Sequence, residues 1–94
     1  EDRKDIVCEI LVTNYKLNKT QNIIISKTNY NNLEINENVS IKIKNKKYFL
    51  QSNNIDFKEI NKCLYNFIIL NNIKITLNNK YFEDNKYIIT LLFV

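Results

Sequence analysis

The chemistry this chain can offer rests on an alternating run of lysines, two carboxylate pairs, two cysteines and scattered tyrosines. In residues 33–47, LEINENVSIKIKNKK, Val39, Ile41 and Ile43 alternate with Ser40, Lys42 and Lys44, and Lys46 and Lys47 follow. That pattern is either a lysine comb against phosphates or a half-buried strand with a basic solvent face. Asp56 and Glu59 are spaced to share a helix face, and Glu83 and Asp84 to share a turn. Neither pair falls in an expected cleft, so both read as solvated surface carboxylates. Without His, no Ser-His-Asp or Cys-His arrangement can be assembled, and Cys8 and Cys63 cannot complete a zinc site. Without Gly, there is no phosphate-cradling loop and no dinucleotide fingerprint. The expectation is a domain with no catalytic residues, no metal and no cofactor of its own.

Two binding chemistries survive that exclusion. Tyr15, Tyr30, Tyr48, Phe49, Tyr65 and Tyr81, interleaved with lysines, could stack bases as single-stranded nucleic-acid-binding barrels do. They are dispersed over many segments, however, and Phe49 reads as a core residue. Core filling and ordinary surface tyrosine are the favoured readings, which leaves a protein-interaction module using a groove or sheet edge.

Composition points the same way. Asn (18), Ile (16) and Lys (13) make half of the 94 residues, while Ala, Gly, Pro, Met, Trp and His are absent and Arg3 is the single arginine. Residues with AT-rich codons are enriched, as in the genomes of some protists. Codon drift therefore supplies lysine, and the net charge of +4 reads as a solvated basic surface. Arginine, the better bidentate donor to bases, is nearly missing. At this length one domain is expected, over residues 1–94. Two thiols without a larger framework fit reduced cysteines in an intracellular protein, although one disulfide is geometrically conceivable. No apolar run approaches the ~20 residues of a membrane helix. The start EDRKD is no signal peptide, and with no initiator Met the chain reads as a fragment or processed form.

Strand patterns dominate the elements that would position these residues. Residues 6–12 (IVCEILV) read as a first strand, 14–22 as a polar turn region and 23–25 as a short buried strand. Residues 28–32 suit one helical turn. The alternating stretch pairs with Tyr48, Phe49 and Leu50 as a hairpin, and Asn45 is the expected residue at positive φ. Residues 53–62 read as a short helix or loop. Residues 63–70 (CLYNFIIL) fit a strand or a buried helical turn, and Asn71-Asn72 ends them. Ile73, Ile75 and Leu77 alternate before an expected turn at Asn78-Asn79. Residues 87–94 (YIITLLFV) form a buried last strand. Six or seven short strands with one or two short helices make a mainly β domain, a small barrel or sandwich. In that fold Val39, Ile41 and Ile43 face the core while Lys42 and Lys44 face water.

Two of these stretches carry a family resemblance. LEINENVSIKIKNKK resembles a segment in the N-terminal domain of AAA ATPases of the valosin-containing protein (cell division cycle protein forty-eight) family. There a Leu-x-Leu pair precedes Phe-Arg-Gly-Asp, an alternating strand and Lys-Gly-Lys-Lys. Leu33 and Ile35 match the pair, Ile41 and Ile43 the strand, and Lys44, Lys46 and Lys47 the basic turn. NFIILNNIKITLNN is similar to the family's segment around Asn-Asn-Leu-Arg-Val-x-Leu-Gly-Asp. Asn71, Asn72, Ile73, Lys74, Ile75 and Leu77 fall in register, with Asn78-Asn79 for Gly-Asp. The likeness spans nearly the whole chain, with a few residues missing between Lys47 and Cys63. The membrane-fusion and peroxisomal ATPases have a similar first half.

The resemblance implies a double-psi β-barrel, the first half of a bipartite N-domain, with residues 87–94 at the junction to a second subdomain. It implies a homohexameric parent that spends ATP, with Mg, in other domains to extract or unfold proteins, often ubiquitin-linked ones. This domain would dock adaptors carrying ubiquitin-like domains or short linear motifs, without nucleic acid and without membrane insertion. The family's adaptor turn falls on Asn36, Glu37 and Asn38, with Glu37 replacing an arginine, so a partner carboxylate clamped there in the family would be repelled. The contact to the ATPase ring falls on Lys74 and Thr76. These departures imply a paralogue altered in adaptor choice, in the cytosol or in a relict plastid (apicoplast) whose protein import some protists drive with such a copy.

Overall fold

A chain with eighteen asparagines and no glycine has to turn its corners on asparagine. The computed structural model describes residues 20–26 and 30–94, and within them it does so repeatedly. Asn45-Lys46, Asn53-Asn54 and Asp84-Asn85 each place two consecutive residues at positive φ, between 52° and 64°. Two such residues in succession make the type I′ turn, whose twist matches that of the flanking strands. Asn45 is at positive φ as expected. The three turns close three hairpins: β2 (Asn38–Lys44) with β3 (Lys47–Ser52), β3 with β4 (Ile55–Ile60), and β5 (Ile75–Glu83) with β6 (Lys86–Phe93).

Lys46 is the misfit among these corners. Its φ of 64° puts a Cβ where asparagine or glycine is tolerated and lysine is strained. Lys46→Gly should raise the unfolding free energy by about 1 kcal/mol, read as a higher urea midpoint at unchanged slope. An unmoved midpoint would count against the turn geometry.

With β1 (Thr20–Ser26) the described strands make one antiparallel sheet in the order β1-β6-β5-β2-β3-β4. The mainly β class is therefore what the chain adopts, with six strands and one short helix among the described residues. The sheet curls: its two end strands, β1 and β4, line one cavity of about 390 Å³, closed by Leu64 and Ile68 of helix α1 (Lys62–Leu70). Inside the curl, Leu33, Leu50, Leu77, Ile89 and Leu91 are each 1% exposed or less. No helix among the described residues is long and apolar enough to cross a membrane.

The ambiguous stretch 63–70 is helical because it has the right punctuation. The Asn61 side chain accepts from the Leu64 amide at 2.7 Å, capping the first turn. Leu64 and Ile68, four residues apart, form the buried stripe. Asn72 adopts φ 50°, its amide reaching the Ile69 carbonyl and that of Ile73 the Ile68 carbonyl. That is a Schellman stop with asparagine in the usual glycine place. The Asn71-Asn72 pair thus ends the helix.

Several expectations are corrected. Residues 53–62 are not helix or loop, because the Asn53-Asn54 turn folds 55–60 back as β4. Phe57 is an extra residue there, between the Gln51↔Asp56 and Leu50↔Lys58 pairs, and this bulge lets Phe57 and Ile60, three residues apart, both be buried. Asp56 and Glu59 therefore sit on a strand. Asn78-Asn79 is not a turn. The register shifts between Leu77 and Asn79, so Asn78 is a bulge and β5 runs on to the Asp84-Asn85 turn. Strand β1 begins at Thr20, inside the expected polar turn region. On β3 the core residue is Leu50 rather than Phe49, which is half-buried. On β2, Val39 and Ile41 pack against the core, but Ile43 is 57% exposed. Only Asn38 and Val39 pair with β5, so among the described residues β2 beyond them has β3 alone as strand neighbour, and Ile43 is left largely exposed. The expected strand at 6–12, with Cys8, and Tyr15 lie outside the described residues, as does part of the expected turn at 28–32.

Candidate functional site

The short contact between β2 and β5 gathers the residues that sequence reasoning singled out. Just before β2, Asn36 takes φ 69° and its amide donates to the Leu77 carbonyl. The Leu77 amide returns a bond to the Glu37 carbonyl at 2.9 Å. Next along the chain, Asn38 stands opposite Thr76 in the ladder. The turn at 36–38 is thereby joined by backbone bonds to β5, whose first residues follow Lys74.

Glu37 has its carboxylate occupied locally. Oε1 accepts from the Glu34 amide at 2.9 Å, while the Glu37 amide donates to the Glu34 carbonyl at 3.4 Å. The side chain is half-buried and braces its own turn. Lys74 is held from the other side: its amide and carbonyl exchange bonds with Val94 at 3.0 and 2.9 Å. Its side chain is exposed. Thr76 is half-buried, flanked by Asn38 on β2 and Leu92 on β6.

Around this junction the surface is concave. Asn38, Val39, Ile73, Lys74 and Ile75 line a cavity of about 380 Å³. Val39, Ile73 and Ile75 also line a second one of about 240 Å³ between β2 and α1, walled further by Ile41, Ile43 and Ile69. The shared residues make the two a single groove. Lys74 and Asn38 line one end, and the other opens at Ile43 and Ile69, which are 57% and 53% exposed. Among the described residues lining it there is one cation and no carboxylate. Such a surface can bury apolar side chains and attract a negative group; it holds no acid–base pair.

The two sets of residues, expected to serve separate contacts, are thus adjacent. Asn38 and Lys74 share the groove, while Asn36 and Glu37 form its approach and Thr76 its β-ladder neighbour. Sequence reasoning missed the wall contributed by α1. The signal for it was there in the four-residue spacing of Leu64 and Ile68, with Tyr65 and Ile69 following one residue behind. Among the described residues, four of the tyrosines make ring pairs. Tyr48 and Tyr65 stack at 4.2 Å and 20°, and Tyr87 meets Tyr30 and Phe82 edge-on at 6.3 and 5.0 Å. No family model, no curated protein and no solved structure matches the chain.

Proposed function

We propose that this chain is an adaptor- or substrate-binding N-terminal domain, of double-psi β-barrel form, in an ATP-driven protein-unfolding ATPase of the valosin-containing protein type. The observation that carries this reading is the juxtaposition of the turn at Asn36, Glu37 and Asn38 with Lys74 and Thr76 about one apolar groove. The asparagine pair that stops α1 falls inside the second family-like stretch, which lends further support. The groove takes an apolar segment of an adaptor, and the Lys74 ammonium takes a carboxylate beside it. Nucleotide chemistry belongs to other domains of a hexameric parent, with ATP and Mg. The altered turn selects adaptors other than those of the family's main copy, in the cytosol or a plastid-derived compartment.

Binding of ubiquitin-fold adaptors to this domain tests the proposal. Lys74→Glu should weaken it roughly tenfold, the size of one lost ion pair turned repulsive. An adaptor that binds the variant as well as the parent removes Lys74 from the site. Failure of every such adaptor, combined with oligonucleotide affinity that falls steeply with salt, would replace the reading with a nucleic-acid-binding barrel.

A further inference from the structure

The lysine with the most defined role lies outside the lysine-rich stretch. Lys80 sits in β5 opposite Ile89, whose other neighbour across the sheet is Ile23, both core residues. Its half-buried side chain reaches the segment that precedes the turn at 36–38. The ammonium donates to the backbone carbonyls of Tyr30 at 3.4 Å and Asn31 at 3.0 Å, and to that of Leu33. The Asn53 side-chain amide donates to the carbonyl between them, Asn32, at 2.8 Å. Four consecutive carbonyls are therefore satisfied by two side chains distant in sequence, one from β5 and one from the β3–β4 turn. The Tyr87 hydroxyl adds a bond to the Asn31 side chain.

A segment outside helix and sheet needs partners for its carbonyls, and an ammonium has three N–H donors to meet three of them. Because the donor is charged, each bond is roughly twice as strong as a neutral one. Leu33, 1% exposed, pins the segment to the core, and the Asn36–Leu77–Glu37 backbone bonds pin it again. Both Leu77 and Lys80 belong to β5, so a single strand holds the segment at both ends. What lies between is the approach to the groove.

We propose that Lys80 is the positioning residue of the binding turn: a tethered cation that orders residues 30–33 and thereby sets where Asn36, Glu37 and Asn38 stand. Its influence on partner binding rests on the function proposed above; its influence on the turn does not. Lys80 itself touches no partner.

The test compares Lys80→Met, which keeps most of the aliphatic stem and removes the donor, with Lys86→Met, an exposed lysine on the same hairpin. Amide hydrogen exchange at Leu33, Asn36 and Leu77 should quicken about tenfold in Lys80→Met, with the β1–β6 ladder as protected as in the parent. Lys86→Met should leave all of them alone. Equal protection of Asn36 and Leu77 in Lys80→Met and the parent overturns the proposal, and so does a loss of protection spread evenly over the domain. If Lys80→Met does not fold, Lys80→Leu, which also keeps an apolar side chain and has no donor, is measured the same way and judged by the same outcomes. In a separate arm, an ubiquitin-fold adaptor that binds the parent should bind Lys80→Met about tenfold more weakly and Lys86→Met equally well. Unchanged affinity there denies Lys80 its role in binding. A parent that binds no such adaptor removes the functional reading while the exchange measurement still decides the role of Lys80.

Discussion

Leu77→Ala should lower the unfolding free energy by about 3 kcal/mol, within the range of buried leucine truncations. Leu77 is 0% exposed, and its side chain belongs to the core formed with Leu50, Ile89 and Leu91. Its backbone also ties the turn at 36–38 to β5 through the Asn36 and Glu37 bonds. A small domain is held by only about 5–15 kcal/mol, so such a loss should lower the melting temperature by roughly 12–24 °C. Urea and thermal unfolding would show it. A loss under about 1 kcal/mol would mean that Leu77 is not at the centre of the core.

The second large effect separates two isoleucines on one strand. Ile41→Asp should cost about 2–3 kcal/mol, because a carboxylate would replace a side chain packed against the core beside Leu50. Ile43→Asp, two residues on and on the same face of β2, should cost within about 0.5 kcal/mol, since Ile43 is 57% exposed. Urea midpoints of the two variants settle the comparison. Equal penalties would mean that β2 is covered along its whole length, and the groove mouth between Ile43 and Ile69 would not exist. If Ile43→Asp folds well, it also becomes a probe of the groove: an apolar partner segment should bind it more weakly than the parent.

Alternation along 39–43 correctly marks a strand and assigns Ile43 to the inward-facing side. Whether an inward-facing residue is buried depends on what lies above it. That cover comes from α1 and β5, and neither reaches the end of β2. The same distinction explains β4. Residues 53–62, where Ile55 and Ile60 bracket charged residues, read as a short helix or loop, yet the turn residues Asn53 and Asn54 make a hairpin, and the Phe57 bulge absorbs the irregular spacing. Motif likeness singled out Asn36, Glu37, Asn38, Lys74 and Thr76, but it carried no information on their nearness in space. That nearness depends on two residue pairs between β2 and β5, closed over a separation of more than thirty residues. Glu37 was legible as a charge; that the carboxylate braces its own turn follows from the position of the Glu34 amide.

Sequence by itself determines the local decisions. With no glycine, asparagine takes six of the eight left-handed positions among the described residues, because it tolerates that region best among the residues present. The absence of His excludes whole classes of catalytic arrangement before any coordinate is considered. These outcomes depend on sterics and functional groups within a few bonds. Tertiary structure alone decides which of the thirteen lysines is solvated and which, as Lys80, is enclosed by carbonyls from fifty residues away. It alone decides where the sheet stops covering β2 and a groove begins. Burial and charge satisfaction are sums over neighbours distant in sequence, and no local pattern of asparagine, isoleucine and lysine encodes who those neighbours are.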